Sequence, residues 1–140
     1  MPASVRAQQR LRALSAEQVE RFAVDGFLSV DGLLAADEVE AVGARADLIA
    51  AGDAAHVPEE CVQLERIYRE GEAQVEDRAL SVRKLYQVAV HDEVLWHHAS
   101  HPKIVDIVAD LLGTDDIKLY NDQLFMKPPL VGAAQGWHQD

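Results

Sequence analysis

His138 and Asp140 stand at positions i and i+2 in the stretch Trp137-His138-Gln139-Asp140. On an extended strand such side chains share one face, so an imidazole and a carboxylate would converge there while Gln139 turns away. Neutral imidazole and carboxylate are two of the three donors in the facial triad of two histidines and one carboxylate. That triad holds non-haem Fe(II) and leaves coordination positions open. A polar strand end facing water is the commoner source of a His-x-Asp pair, and these two residues alone leave that reading open. Upstream, Lys127-Pro128-Pro129 closes an alternating stretch, and a glycine-containing loop follows it.

The alternating stretch, Ile117 to Lys127, reads as a strand of period two. Asn121, Gln123 and Lys127 give one face a polar wall, while Leu124 and Met126 make the other apolar. A polar inward face beside an apolar outward one suits a small barrel that encloses a ligand. Lys127 is then a point-charge partner for a carboxylate, or an edge residue extending its amine into water. Asn121 and Gln123 either contact a ligand or make structural hydrogen bonds. Pro128-Pro129 ends regular pairing. Val131–Gly136 is expected to be a mobile loop, and Trp137–Asp140 the start of another strand.

Helices and short strands must position these residues. Residues 1–14 read as a flexible leader. Ser15 with Gln18 forms a capping box, Val19, Phe22 and Ala23 follow at helical spacing, and Asp25-Gly26 stops the helix. Phe27–Val30 is expected to be a short strand closed by Asp31-Gly32. A second helix spans Ala36–Ala51, with Val39, Val42, Ala46 and Ile49 on one stripe, acidic residues in its first turn and Gly52 as its stop. A strand is expected at Val62–Tyr68, an exposed loop over 70–81, and a strand at Val82–Val90. Asp92 should cap a helix over Glu93–Ala99. Pro102 opens the last helix, whose apolar face carries Ile104, Val105, Ile107, Val108, Leu111 and Leu112, and Gly113 ends it.

The opening from Leu14-Ser15 to Gly26-Phe27, the Lys127-Pro128-Pro129 step and His138-Gln139-Asp140 together resemble the phytanoyl-CoA dioxygenase family of Fe(II)- and 2-oxoglutarate-dependent oxygenases. The likeness runs from about Leu14 to Asp140 and matches the first half of such an enzyme. It implies an α+β fold over 15–140: helices packed on the first strands of a double-stranded β-helix, a jelly-roll, cupin-like barrel, apparently truncated. It also implies His138 and Asp140 as iron ligands, and Lys127, with Gln123 and Asn121, near the 2-oxoglutarate co-substrate. Oxidative decarboxylation to succinate and CO2 would accompany O2-dependent hydroxylation of a small molecule. Enzymes of the family supply a second histidine and a distal arginine further along, so these 140 residues are expected to be inactive by themselves. The alternative is a truncated homologue that serves as a non-catalytic interaction or regulatory module.

Composition narrows the remaining classes. The formal net charge is −11, from 24 acidic and 13 basic residues, with no basic stripe. Nucleic acid, bound mainly through phosphate neutralisation, is therefore a poor partner. No apolar stretch approaches the ~20 residues of a membrane span, and a cytoplasmic location is expected. Cys61, the single cysteine, excludes an internal disulfide and reads as a half-buried thiol among acids. His97, His98 and His101 raise the idea of a zinc site. Ser100 and Pro102 break the helix there, so solvated helix-end histidines are the preferred reading. His91-Asp92-Glu93 falls at a helix start, where cap and dipole roles suffice.

Overall fold

Ser15 caps the first helix as its sequence requires. In a computed structural model, which describes residues 10–134, 136 and 137, Ser15 Oγ accepts from Gln18 N at 3.2 Å and Gln18 Oε1 accepts from Ser15 N at 2.9 Å. Helix α1 (Ala16–Asp25) ends at Gly26, whose φ of 78° is the left-handed conformation that glycine adopts without a Cβ penalty. Phe27–Val30 is irregular rather than a strand, and Phe27 is 69% exposed. Three of its four residues are apolar, but among the described residues no neighbouring strand offers them a ladder.

Helix α2 (Ala36–Ala51) has the expected bounds. Glu38 Oε2 accepts from Ala35 N at 2.7 Å, closing the first turn in place of a side chain at the cap. At the other end Arg78 Nη1 donates to Ala50 O at 2.8 Å, satisfying a carbonyl that the helix itself leaves orphaned. The buried stripe is Ala46, Ile49 and Ala50, with Val42 partly buried. Val39 was expected on it and is 56% exposed.

Three short strands follow a common antiparallel order. Strand β1 (Val62–Leu64) pairs with β2 (Val82–Tyr86), and β2 pairs with β3 (Gln123–Phe125). Three expectations were too long, beginning with Val82–Val90, where the strand stops at Tyr86 because Gln87 takes a left-handed φ of 55°. The stretch Val62–Tyr68 turns into helix α3 (Arg66–Arg69) after Leu64, and the Ile117–Lys127 strand contracts to three residues. Alternation in sequence cannot reveal where a pairing partner stops. Along β1, Gln63 pairs with Lys84 but Leu64 pairs with Val82, so Arg83 is an extra residue in β2. This β-bulge explains why Val82 and Leu85, three apart, are both fully buried. On the other edge, Arg83 O accepts from both Met126 N and Lys127 N.

Helix α4 (Glu93–Ala99) packs beside α2, and α5 (Pro102–Leu112) packs beside α1. The core joins Ala46, Ile49 and Ala50 of α2 to Val82 and Leu85 of β2, with Val57, Cys61, Val88 and Leu95 around them. Each large apolar side chain buried here contributes roughly 1.5–3 kcal/mol. Cys61 is buried within this core, and burial, with Glu60 and Asp122 nearby, pushes its thiol pKa up.

Residues 10–14 do not behave as the free end of a leader. Asp110, in the last turn of α5, accepts from the backbone N–H groups of Arg12, Ala13 and Leu14 at 2.9–3.1 Å. Leu14 is buried as a result. Among the described residues the sheet has three strands and no barrel closes around it.

Candidate functional site

The row Val62, Leu85 and Leu124 faces the helices, so its neighbours along the strands face away from them. That open face carries Gln63, Lys84, Tyr86, Gln123 and Phe125, brought side by side by the register Gln63↔Lys84, Lys84↔Phe125 and Tyr86↔Gln123. Lys84 Nζ donates to Gln123 Oε1 at 2.9 Å. The same amine lies 4.9 Å from the Tyr86 ring centre and 5.8 Å from that of Phe125. An ammonium held by an amide oxygen and two aromatic faces is oriented but keeps donors for a further acceptor. Lys84 and Tyr86 were absent from the sequence-based set. Nothing in the stretch Val82–Tyr86 alone shows that it lies against Gln123, because that depends on a pairing between residues distant in sequence.

The expected site residues take different places. Gln123 is on the open face. Asn121 lies before β3 begins, in a groove of about 510 Å³ lined also by Trp96, Ile104, Val108 and Leu119, and its buried Oδ1 has no hydrogen-bond partner among the described residues. It is thus separated from Gln123, since the alternation that joined them requires a strand over Ile117–Asp122 that does not form.

Lys127 follows the end of β3 with a left-handed φ of 42°, uncommon for a residue with a Cβ. Its stem lies against Gly132, where an added Cβ would come within 2.7 Å of Lys127 Cγ and 2.8 Å of Pro128 O. The loop expected to be mobile from Val131 therefore begins as a closed turn. Gly132 N donates to Pro128 O at 3.0 Å, and Ala133 N reaches the buried Glu65 carboxylate at 3.3 Å. His138 and Asp140 lie outside the described residues.

Two further polar clusters hold the elements around this face. Asp92 does more than cap α4. Its Oδ1 accepts from Val94 N and Leu95 N, while Oδ2 lies 2.8 Å from His56 Nε2 and 3.1 Å from Arg45 Nη1. Burial pushes its carboxyl pKa up, but the His56 hydrogen bond, the Leu95 and Val94 N–H groups and the Arg45 charge outweigh that and hold it below the ordinary value. His101, one of the three clustered histidines, has both ring nitrogens engaged. Nδ1 accepts from Lys103 N at 3.2 Å and Nε2 lies 3.0 Å from Glu38 Oε1. Glu38 is held below the usual carboxylate range, first by the Ala35 N–H and, against some burial, by His101 and Lys103. Among the described residues no three His, Cys, Asp or Glu side chains come together in a way that could hold a metal ion.

Among the described residues the chain is a set of helices over a small antiparallel sheet, with an amine and an amide on its open face. The sequence model of the phytanoyl-CoA dioxygenase family matches residues 22–140, and the chain belongs to this family. Among curated proteins it is 28% identical over 128 residues to an ectoine dioxygenase of Bordetella bronchiseptica, and 24% identical over 127 residues to one of Sphingopyxis alaskensis, covering 91% of this chain in both cases. An ectoine dioxygenase of Stutzerimonas stutzeri is 26% identical over 139 residues. The chain spans 37% of the length of the first two relatives and 42% of the third. No solved structure matches the chain significantly. No helix among the described residues is long and apolar enough to cross a membrane.

Proposed function

We propose that the chain forms part of an Fe(II)- and 2-oxoglutarate-dependent dioxygenase that hydroxylates a C–H bond of a small molecule. The observation that carries this reading is the Lys84–Gln123 pair on the open sheet face, in a chain of the phytanoyl-CoA dioxygenase family. An ammonium fixed by an amide and flanked by two rings suits a carboxylate ligand such as 2-oxoglutarate. Lys84 would neutralise that carboxylate, Gln123 would orient the amine, and Lys127, two residues beyond β3, would add a second positive charge. His138 and Asp140 have the donor chemistry for Fe(II). When bound, the iron would supply O2 activation coupled to decarboxylation of 2-oxoglutarate. Because the curated relatives are named ectoine dioxygenases, ectoine is the first substrate to test.

The test is an anaerobic titration of the protein with 2-oxoglutarate in the presence of Fe(II), with succinate release on adding O2 and ectoine measured in the whole enzyme of which the chain forms part. Lys84→Ala should weaken 2-oxoglutarate binding about 10- to 100-fold, the worth of one hydrogen bond to a charged group. His138→Ala and Asp140→Ala should remove Fe(II) retention while leaving the circular dichroism spectrum unchanged. Full iron retention in both variants would overturn the ligand assignment. A wild-type chain that folds and ignores both Fe(II) and 2-oxoglutarate would instead favour a non-catalytic interaction module.

A further inference from the structure

Strand β3 has only three residues, and burial by itself does not fix its register. Shifting it by one residue would turn Leu124 outward and is excluded by the core. Shifting it by two, so that Met126 rather than Leu124 lies opposite Leu85, would keep an apolar side chain inward. Met126 is already packed against the core beside Leu124. That slip would carry Gln123 past Tyr86 and away from Lys84; besides the clamp described below, it is opposed by loss of the Met126 and Lys127 N–H bonds to Arg83 O and by setting Lys84 opposite Lys127.

Asp122 lies immediately before β3 and makes the contacts that the slip would break. Its backbone O accepts from Gln87 N at 3.0 Å, extending the ladder beyond Tyr86↔Gln123. Its Oδ1 accepts from Val88 N at 2.9 Å and from Ala89 N at 3.1 Å, and Oδ2 is 3.3 Å from Ala89 N. Gln87 has a left-handed φ of 55°, which turns the two following N–H groups toward position 122. Val88 and Ala89 are both buried, so their donors have no ready access to water and would be costly to leave unpaired. Alternation assigns Asp122 to an apolar outward row, where a carboxylate looks misplaced; this clamp is its physical reason.

We infer that Asp122 is a positioning residue that pins β3 in register on β2 and so holds Gln123 against Lys84. The functional half of this inference rests on the reading of Lys84 and Gln123 as ligand-binding groups. The structural half does not.

The experiment compares Asp122→Ala, which keeps no side-chain acceptor, with Asp122→Asn, which keeps one side-chain oxygen. The cross-strand NOE between Leu85 and Leu124 reads the register, and 2-oxoglutarate titration reads the site. Asp122→Ala should lose the Leu85–Leu124 and Lys84–Gln123 contacts while methyl signals of Ile49 stay in place. Its 2-oxoglutarate affinity should fall at least about tenfold, the scale of one lost charge-assisted hydrogen bond. Asp122→Asn should restore the contacts and most of the affinity.

Intact contacts in Asp122→Ala, or equal damage in Asp122→Asn, would overturn the inference. Asp110→Asn is the control for general destabilisation, because it weakens a remote anchor. It should lower the Tm and leave both readouts unmoved, and an affinity loss matching that of Asp122→Ala would also overturn the inference. Should Asp122→Ala not fold, Asp122→Ser answers the same question: loss of amide-exchange protection at Ala89 together with a weakened Lys84–Gln123 contact supports the clamp, and no change in either refutes it. If the wild type binds no 2-oxoglutarate, the proposed function falls while the NOE comparison still decides the register claim.

Discussion

Asp110 offers the most quantitative test of how this fold is held. The carboxylate is 3% exposed and collects three successive backbone N–H groups, from Arg12, Ala13 and Leu14. Replacing it by alanine removes all three bonds. Hydrogen bonds to a charged acceptor contribute about 1.5–3 kcal/mol each when isolated. Arg12 and Ala13 are exposed and would regain water as a partner, so the net loss should be about 2–3 kcal/mol, dominated by the donor of buried Leu14.

Asp110→Asn should cost less, about 1–2 kcal/mol, because one oxygen can still serve Ala13 and Leu14 while the amide nitrogen faces the Arg12 donor. Burial pushes the Asp110 carboxyl pKa up, but the three N–H donors and the Arg12 charge outweigh it and hold the pKa below the ordinary value. A depressed native pKa means that the unfolded state binds more protons in the window between the two values, so stability rises with pH there. The contribution is complete above the unfolded carboxyl pKa, about 3.9, and is lost as pH falls through the native one. Urea unfolding of wild type and Asp110→Asn from pH 7 downward measures this directly, with amide exchange at Leu14 as the local probe. The two stability curves should converge in acid. A gap that stays constant through the acid range, or unchanged Leu14 protection in Asp110→Ala, would refute the reasoning.

Other perturbations follow from the same geometry. Asp92→Ala should destabilise the protein by about 3–5 kcal/mol, since it strips a buried carboxylate from Arg45 and uncaps α4. Chemical unfolding at neutral pH checks this, and a loss below 1 kcal/mol, roughly the value of an exposed pair, would show that Asp92 acts only as a surface charge. Because its native carboxyl pKa is also depressed, that stabilisation should disappear as pH falls below the unfolded value. Gly132→Ala introduces a Cβ 2.8 Å from Pro128 O. The turn must open at a local cost of about 1–3 kcal/mol, seen as faster amide exchange at Val131 and Gly132. Unchanged exchange there would mean that the turn is already open in solution.

Local rules made much of this chain legible. The capping box at Ser15 and Gln18, the glycine stops at Gly26, Gly52 and Gly113, the Asp92 cap and the proline at the start of α5 all act within one helical turn of their own residues. The family, too, was readable from the spacing of Lys127-Pro128-Pro129 and His138-Gln139-Asp140, and the family match over 22–140 agrees. What tertiary structure decided is everything that depends on a partner far along the chain. Strand length was one such matter: alternation over Ile117–Lys127 is intrinsic, yet only Gln123–Phe125 finds a ladder. The use of carboxylates was another. In sequence Asp92 reads as a helix cap, while Asp110 and Asp122 carry no signal of a partner. In the fold they bind Arg45 and His56, the Arg12–Leu14 backbone, and the Val88–Ala89 turn. Likewise Lys84 becomes a site candidate only once antiparallel pairing sets it beside Gln123. Helix periodicity and caps are encoded within a few residues, whereas register and charge pairing are properties of segments brought together by folding.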